Sequence, residues 1–228
     1  MVTIDKIAKR IFDIVFALCF LIILSPVYII TAVIIMIVSP GDPIYKAKRV
    51  GLGGKEFICY KFRSMRIDSG KVKLTTLIND ERIFPFGRFI RKAKIDELPQ
   101  AINILFGQMS VVGPRPEDKV NVDNIYQGEY KRILYVKPGL TSPASLYDYT
   151  HGEKYDSEDL YEKEFVPQKL QLELYYVDNH TFCYDMQIVI KTAGIIIATV
   201  FGKEDFKAPE EFQSIELRGI AKRKTYEF

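Results

Sequence analysis

A run of apolar residues from Ile11 to Val38, interrupted at its midpoint by Ser25-Pro26, restricts this chain more than any other stretch. As one straight helix, about 28 residues would measure about 42 Å, against roughly 30 Å of bilayer hydrocarbon. Tilt absorbs such an excess. Proline, however, removes a backbone donor and clashes with the preceding turn, so the helix breaks or kinks there. Each half then holds about 14 residues and reaches about 21 Å, too short to cross alone. The Ser25 hydroxyl is placed to satisfy a carbonyl that the proline frees. Basic residues flank both ends: Lys6, Lys9 and Arg10 before, Lys46, Lys48 and Arg49 after. Such flanks favour the cytoplasmic side for both ends. From these residues two readings stay open, a proline-kinked spanning helix and a re-entrant helix-break-helix. The run is too long for a signal-peptide core, and no small-residue cleavage site stands out. Arg10 and Asp13 are spaced to pair at the interface.

The remaining residues are enough for one domain with a membrane appendage. Charge is near balance, 32 basic against 29 acidic residues, which argues against a dedicated nucleic-acid binder. Cys19, Cys59 and Cys183 have neither metal nor redox spacing and imply a reduced compartment. With only His151 and His180, a His-rich zinc site is excluded and a His-based triad is disfavoured. Any chemistry falls to carboxylates and cations.

Those groups concentrate between Arg88 and Pro116. Asp96-Glu97 stands between Arg88-Phe89-Ile90-Arg91 and Gly113-Pro114-Arg115-Pro116. The pattern predicts Asp96 as an N-cap, a short helix over 98–106 and Gly107 as its stop. A helix N-terminus attracts phosphate, and an ionised carboxylate there can act as a nucleophile. The plainer reading of the same residues is a cap among surface ion pairs. Upstream, Ser39 to Pro43 reads as a turn, and 57–63 as a strand with Lys61 and Arg63 on one face. A loop or short helix is expected over 66–76, and a helix from near Pro85 to Lys92 puts Arg88 and Arg91 one turn apart. Downstream come a mixed helix over 118–135 and a helix over 155–176. A further helix, capped by Thr181 and stopped at Gly202, reads as amphipathic, too short and too polar to span easily. The charged tail ends in a basic stretch, 218–224.

Several motifs follow one another in order: Tyr60-Lys61-Phe62-Arg63-Ser64-Met65, Asn79-Asp80-Glu81-Arg82, Gly87-Arg88-Phe89-Ile90-Arg91, Asp96-Glu97-Leu98-Pro99-Gln100 and Asn103. After them come Met109-Ser110-Val111-Val112-Gly113-Pro114-Arg115-Pro116, Lys137-Pro138-Gly139-Leu140-Thr141, and Tyr175-Tyr176 through Asp185. The set resembles the bacterial sugar transferases, the monotopic phosphoglycosyl transferases acting on polyprenyl phosphate, in their short form without an added multi-span domain. The chain departs from the family pattern at Ser142-Pro143-Ala144-Ser145, so sugar- or base-facing roles near that loop are not carried over.

The resemblance implies an α+β fold, mostly helical with short strands. It implies a re-entrant hairpin over 1–40 that enters one leaflet and breaks at Ser25 and Pro26, a catalytic domain over 41–202 and a tail over 203–228. It implies transfer of a sugar 1-phosphate from a UDP-sugar to undecaprenyl phosphate at the cytoplasmic face of the bacterial inner membrane. Asp96 is the implied nucleophile and Glu97 the Mg²⁺ ligand. Lys61, Arg63, Arg88, Arg91 and Arg115 are the implied phosphate contacts. No nucleic acid is expected, a homodimer is left open, and the sugar is not legible. A non-catalytic membrane-anchored scaffold is the alternative function.

Overall fold

The computed structural model describes residues 3–66, 82–152 and 160–216. Asn79 to Glu81, all but the first residue of 66–76, the first turn of the expected 155–176 helix and the basic stretch 218–224 lie outside them. Helix α1 (Thr3–Ile23) and helix α2 (Ser25–Val38) meet at Leu24 with a bend of 60°. Pro26 cannot donate to the carbonyl of Ile22, and the Ser25 hydroxyl does so instead, at 2.8 Å. The first arm is longer than its apolar stretch, because Lys6, Lys9 and Arg10 continue the same helix. The expected Arg10–Asp13 pair does not form. Arg10 donates to the carbonyls of Ile104 and Leu105, and Asp13 accepts from Val111 N–H and Ser110 Oγ. Unmet backbone groups of the neighbouring elements outcompete a local ion pair.

Strands β1 (Ile44–Val50) and β2 (Glu56–Phe62) form an antiparallel hairpin. Only β2 was visible in the sequence, because Lys46, Lys48 and Arg49 obscure the period of β1. Helix α3 (Pro85–Lys92) begins at its proline as expected. A 3₁₀ turn, Ile95–Glu97, leads into α4 (Gln100–Leu105). Strand β3 (Ser110–Val112) pairs in parallel with β4 (Gly139–Thr141). Between them lie α5 (Lys119–Ile125) and a 3₁₀ segment, Gly128–Tyr135, in place of the single helix expected. Helices α6 (Pro143–His151), α7 (Val166–Asn179) and α8 (Phe182–Val200) complete the fold. The architecture is α+β, mostly helical with short strands.

Ser142 caps α6 and Thr181 caps α8. Helix α8 is long and apolar enough to cross a membrane, contrary to expectation. Its polar groups have partners: Asp185 with Lys9, Thr192 with Thr141, and Lys191 within 3.9 Å of Glu211.

The main core draws on α1 (Ala17), β2 (Cys59), α4 (Ala101, Ile104), β3 (Val111, Val112), α7 (Tyr176) and α8 (Ile188). A second cluster joins Ile35 of α2 to Phe62, Phe84 and Ile90. Both arms of the hairpin therefore pack on the rest of the protein. Beside β3 and β4 two backbones cross closely. A Cβ on Gly139 would stand 2.1 Å from Gly113 N, and one on Gly113 would stand 2.3 Å from the Lys137 carbonyl. These contacts are with backbone, so they cannot relax by a rotamer change. Gly139→Ala is expected to destabilise the protein by about 3 kcal/mol, the upper end of ordinary overpacking. Denaturant unfolding would measure it, and a loss near zero would contradict the crossing.

Candidate active site

The acid pair sits on the 3₁₀ turn. Its position is set by Lys94, whose backbone is left-handed (φ 56°), the one non-glycine residue with positive φ among those described. This conformation costs roughly 1 kcal/mol. It ends α3, since Lys94 N–H reaches the Arg91 carbonyl at 3.1 Å, and starts the turn, since Glu97 N–H reaches the Lys94 carbonyl at 3.3 Å. Asp96 does not cap α4. Pro99 fills the cap position and makes no side-chain cap bond, and the Asp96 carboxylate turns into the protein.

Asp96 and Glu97 are 8% and 7% exposed. Glu97 Oε1 accepts from Lys61 Nζ at 3.0 Å and from Arg115 at 3.2 Å. Lys61 comes from β2, which is fixed against α4 by the fully buried Asn103. Its amide donates to the Ile58 carbonyl at 2.6 Å and accepts from Tyr60 N–H at 3.0 Å. Arg115 comes from the loop after β3. Its N–H is accepted by Glu173 of α7 at 2.9 Å, and prolines on either side stiffen it.

One acid is thus neutralised and the other is not. Burial alone would raise the Glu97 pKa, but Lys61 and Arg115, with Lys94, outweigh it and hold Glu97 well below the usual range. Asp96 goes the other way. Burial and then the Glu97 charge push its pKa up, and Lys61, Lys94 and Arg91 only partly oppose them. Of the arginines expected to keep Asp96 ionised, Arg91 opposes this rise, with Lys61 and Lys94, and Lys61 is itself engaged by Glu97. Asp96 Oδ1 is buried and has no hydrogen-bond partner among the described residues.

The structure brings together Asp96, Glu97, Lys61 and Arg115, with Arg91 close enough for its charge to act on Asp96. It does not bring in Arg63, which is buried and donates to the Ser39 and Pro40 carbonyls at the exit of α2. Arg63 lies one residue past the end of β2, so strand alternation did not govern it. Arg88 is exposed on α3, with no hydrogen bond or ion pair to either acid among the described residues.

Four groups near the site escaped sequence reasoning. Lys94 is one. Asp148 of α6 accepts from Tyr161 at 2.9 Å and lies 3.7 Å from Lys169 of α7, which also pairs with Glu117 at 3.2 Å. Glu173 is the fourth. Lys94 lies in the turn after α3 and the others are single charges within helices, and no local pattern separates them from solvated positions.

A Mg²⁺ ion fits this donor set: two adjacent carboxylates, one with an unsatisfied buried oxygen, offer the few hard ligands it takes beside substrate phosphates. A cleft of about 380 Å³ between the β1–β2 turn and α5 contains neither acid.

Buried carboxylates, cations drawn from separate elements and a rigid proline loop define a site suited to binding and attacking phosphate. The sequence model of the bacterial sugar transferases matches residues 4–199. The chain belongs to that family. It is 35% identical over 192 residues to a UDP-glucose:undecaprenyl-phosphate glucose-1-phosphate transferase of Xanthomonas campestris pv. campestris, covering 82% of this chain and 38% of the relative. It is 37% identical over 198 residues to a UDP-N-acetylgalactosamine-undecaprenyl-phosphate N-acetylgalactosaminephosphotransferase of Aeromonas hydrophila, covering 85% and 44%. A glucose-1-phosphate transferase of the first kind from Caulobacter vibrioides is 32% identical over 195 residues, covering 84% of this chain and 70% of the relative. The chain thus spans about two-fifths of the length of the first two relatives.

Glu173, 2% exposed, gives a test of the site's electrostatics. Burial pushes its pKa up to about 7, against hydrogen bonds from Arg115 N–H and Ser142. The unfolded chain releases this proton near the ordinary value of 4.5. The contribution of Glu173 to stability is therefore full below about pH 4.5 and falls as pH rises toward 7, by about 3 kcal/mol in all. Glu173→Gln should remove most of that fall, read as urea unfolding from pH 4 to 8. An unchanged slope would refute the burial account.

Proposed function

We propose that this chain transfers a sugar 1-phosphate from a UDP-sugar to undecaprenyl phosphate, yielding a polyprenyl-diphosphate-linked sugar and UMP. This would be the first membrane step of glycoconjugate assembly, at the cytoplasmic face of the bacterial inner membrane. The observation that carries the reading is the split acid pair: Glu97 holds two cations, and Asp96 keeps an unpartnered oxygen. The printed activities of the relatives support the same reaction class.

In this mechanism an Asp96 oxygen attacks the sugar-proximal phosphorus. The bond from that phosphorus to the UMP oxygen breaks, UMP leaves with the electron pair, and a phosphosugar remains on the aspartate. An oxygen of the lipid phosphate then attacks the same phosphorus, and the aspartyl–phosphorus bond breaks. Lys61 and Arg115 hold phosphate oxygens while Glu97 keeps them oriented. Glu97 would be the ligand of Mg²⁺, which when bound would supply charge neutralisation for the diphosphate and the leaving group. Burial of the turn limits hydrolysis of the acyl phosphate.

The hairpin belongs to the same proposal. A 60° bend and exposed apolar side chains along both arms, among them Ile7, Ile11, Ile22, Ile30 and Ile37, suit entry into one leaflet. Single cysteines placed at Met1 and at Asp42 should both be labelled from the cytoplasmic side. Labelling of either from outside would sink the re-entrant arrangement.

The chemical test uses a panel of UDP-sugars without lipid acceptor. Wild type should release about one UMP per enzyme and carry a phosphosugar adduct by intact-protein mass spectrometry. Asp96→Asn should lack the adduct and lose transfer by roughly 10³-fold or more. Turnover without any adduct in rapidly quenched wild type would favour direct attack by the lipid phosphate.

A further inference from the structure

We propose that the Lys94 ammonium, seated on the ring of Tyr149 beside the acid pair, binds a phosphoryl oxygen of a substrate phosphate. The inference deepens the transfer reaction proposed above and rests on it. Lys94 Nζ stands 4.5 Å from the centroid of the Tyr149 ring. The ring is itself fixed, because the Tyr149 hydroxyl donates to the Lys92 carbonyl. One stretch of α6 therefore clamps the end of α3 and carries the platform for the next cation along the chain. The backbone of Lys94 is equally fixed, by its left-handed conformation and by the hydrogen bond its carbonyl accepts from Glu97 N–H. Strained backbone persists where surroundings over-determine it, and it concentrates at functional sites.

Lys94 differs from Lys61, Arg115, Lys169 and Arg63 in the use of its charge. Lys61 and Arg115 both bind Glu97 Oε1. Lys169 is engaged by Glu117 and Asp148, and Arg63 by two carbonyls. Lys94 has only the aromatic face: among the described residues its ammonium makes no hydrogen bond or ion pair. A ring face offsets part of the cost of burying a cation yet leaves its N–H donors unused. Those donors lie close enough to Asp96, Glu97 and Asp148 for their charges to interact. Glu97 and Asp148 already have partners, and Asp96 makes no hydrogen bond to Lys94 among the described residues, its Oδ1 having no partner there, so the ammonium keeps donors for an anion from outside the protein. A lysine suits a phosphate there as a compact point charge. Two substrate groups present that chemistry, the diphosphate of the donor and the phosphate monoester of the lipid.

The test uses the full chain in nanodiscs. Dissociation constants are measured for UDP and for uridine, and KM for undecaprenyl phosphate with a UDP-sugar that wild type turns over. Lys94→Met keeps the aliphatic stem and removes the charge; Lys94→Arg keeps the charge; Lys94→Gln serves if the Met variant does not fold. If the contact is with the donor, Lys94→Met weakens UDP about tenfold and leaves uridine and the lipid KM unchanged. If it is with the lipid, the KM for undecaprenyl phosphate rises about tenfold and UDP binding is unchanged. In either case Lys94→Arg recovers most of the loss, and the difference from wild type shrinks at high salt. Unchanged UDP affinity and lipid KM in Lys94→Met would overturn the proposal. So would equal weakening of UDP and uridine together with a lower Tm, the signature of a purely structural tether. A wild type that neither binds UDP nor turns over any UDP-sugar would overturn the transfer reaction itself. A fully active wild type with an equally active Lys94→Met removes only the Lys94 contact.

Discussion

One oxygen atom, Glu97 Oε1, holds a lysine from β2 and an arginine from the loop after β3. Three segments distant in sequence meet there, and burial makes each charge-assisted bond stronger than it would be in water. The same atom makes the acid pair unequal. Two adjacent buried carboxylates cannot both ionise freely. Because the cations settle on Glu97, the cost of burial and repulsion falls on Asp96. The asymmetry suits a division of labour. Glu97 Oε1 is engaged by two cations, whereas Asp96 Oδ1 has no hydrogen-bond partner among the described residues. Removing Glu97 would leave Lys61 and Arg115 partly buried and unpaired, so its loss would disturb the whole cluster and not one contact.

The site depends in turn on how an apolar helix treats its few polar residues. Among the described residues strand β3 pairs only with β4, and a two-stranded parallel sheet is marginal alone. Its other edge is satisfied by α1: Asp13 accepts from Val111 N–H, and Lys9 donates to the Val112 carbonyl at 2.8 Å. Lys9 also reaches Asp185 of α8, which accepts from Tyr176 of α7 at 2.8 Å. Arg10 closes the C-terminal end of α4 through the Ile104 and Leu105 carbonyls. Three side chains of α1 thus fix the strand that launches the Arg115 loop and the helix that follows the acid pair.

The sequence made α3, the break at Ser25-Pro26, the caps at Thr181 and Gly202 and the grouping of Lys61, Glu97 and Arg115 legible. Each rests on a local rule of proline geometry or capping, or on motif order. What it did not show depends on tertiary partners. Arg10 and Asp13 looked like a pair because spacing was the only information available; the backbone groups they bind lie about a hundred residues away. Asp96 looked like a cap because Asp before an apolar run usually is one, and the left-handed turn at Lys94 that redirects it is a backbone state no lysine announces. Arg63 shared a face with Lys61 on paper, but the strand ends at Phe62. Helix α8 looked too polar because the partners of Asp185 and Lys191 could not be seen.

These connections also bear on the second arm of the hairpin. Arg63 takes the carbonyls at the exit of α2 one residue after β2 ends, and Lys61 stands on the same strand. The Tyr28 hydroxyl, four residues into α2, donates to the Leu98 carbonyl directly after the acid pair. Ile35 packs with Phe62 and Ile90 on either side of the site. The bend between α1 and α2 is therefore tied mechanically to both Lys61 and the acid turn. Straightening it would pull on the carbonyl next to Glu97 and on the strand that holds its partner. Close packing transmits such a displacement instead of absorbing it. The two arms and the acid pair thus form one packed arrangement, in which a displacement of α2 is felt at Leu98 and at β2.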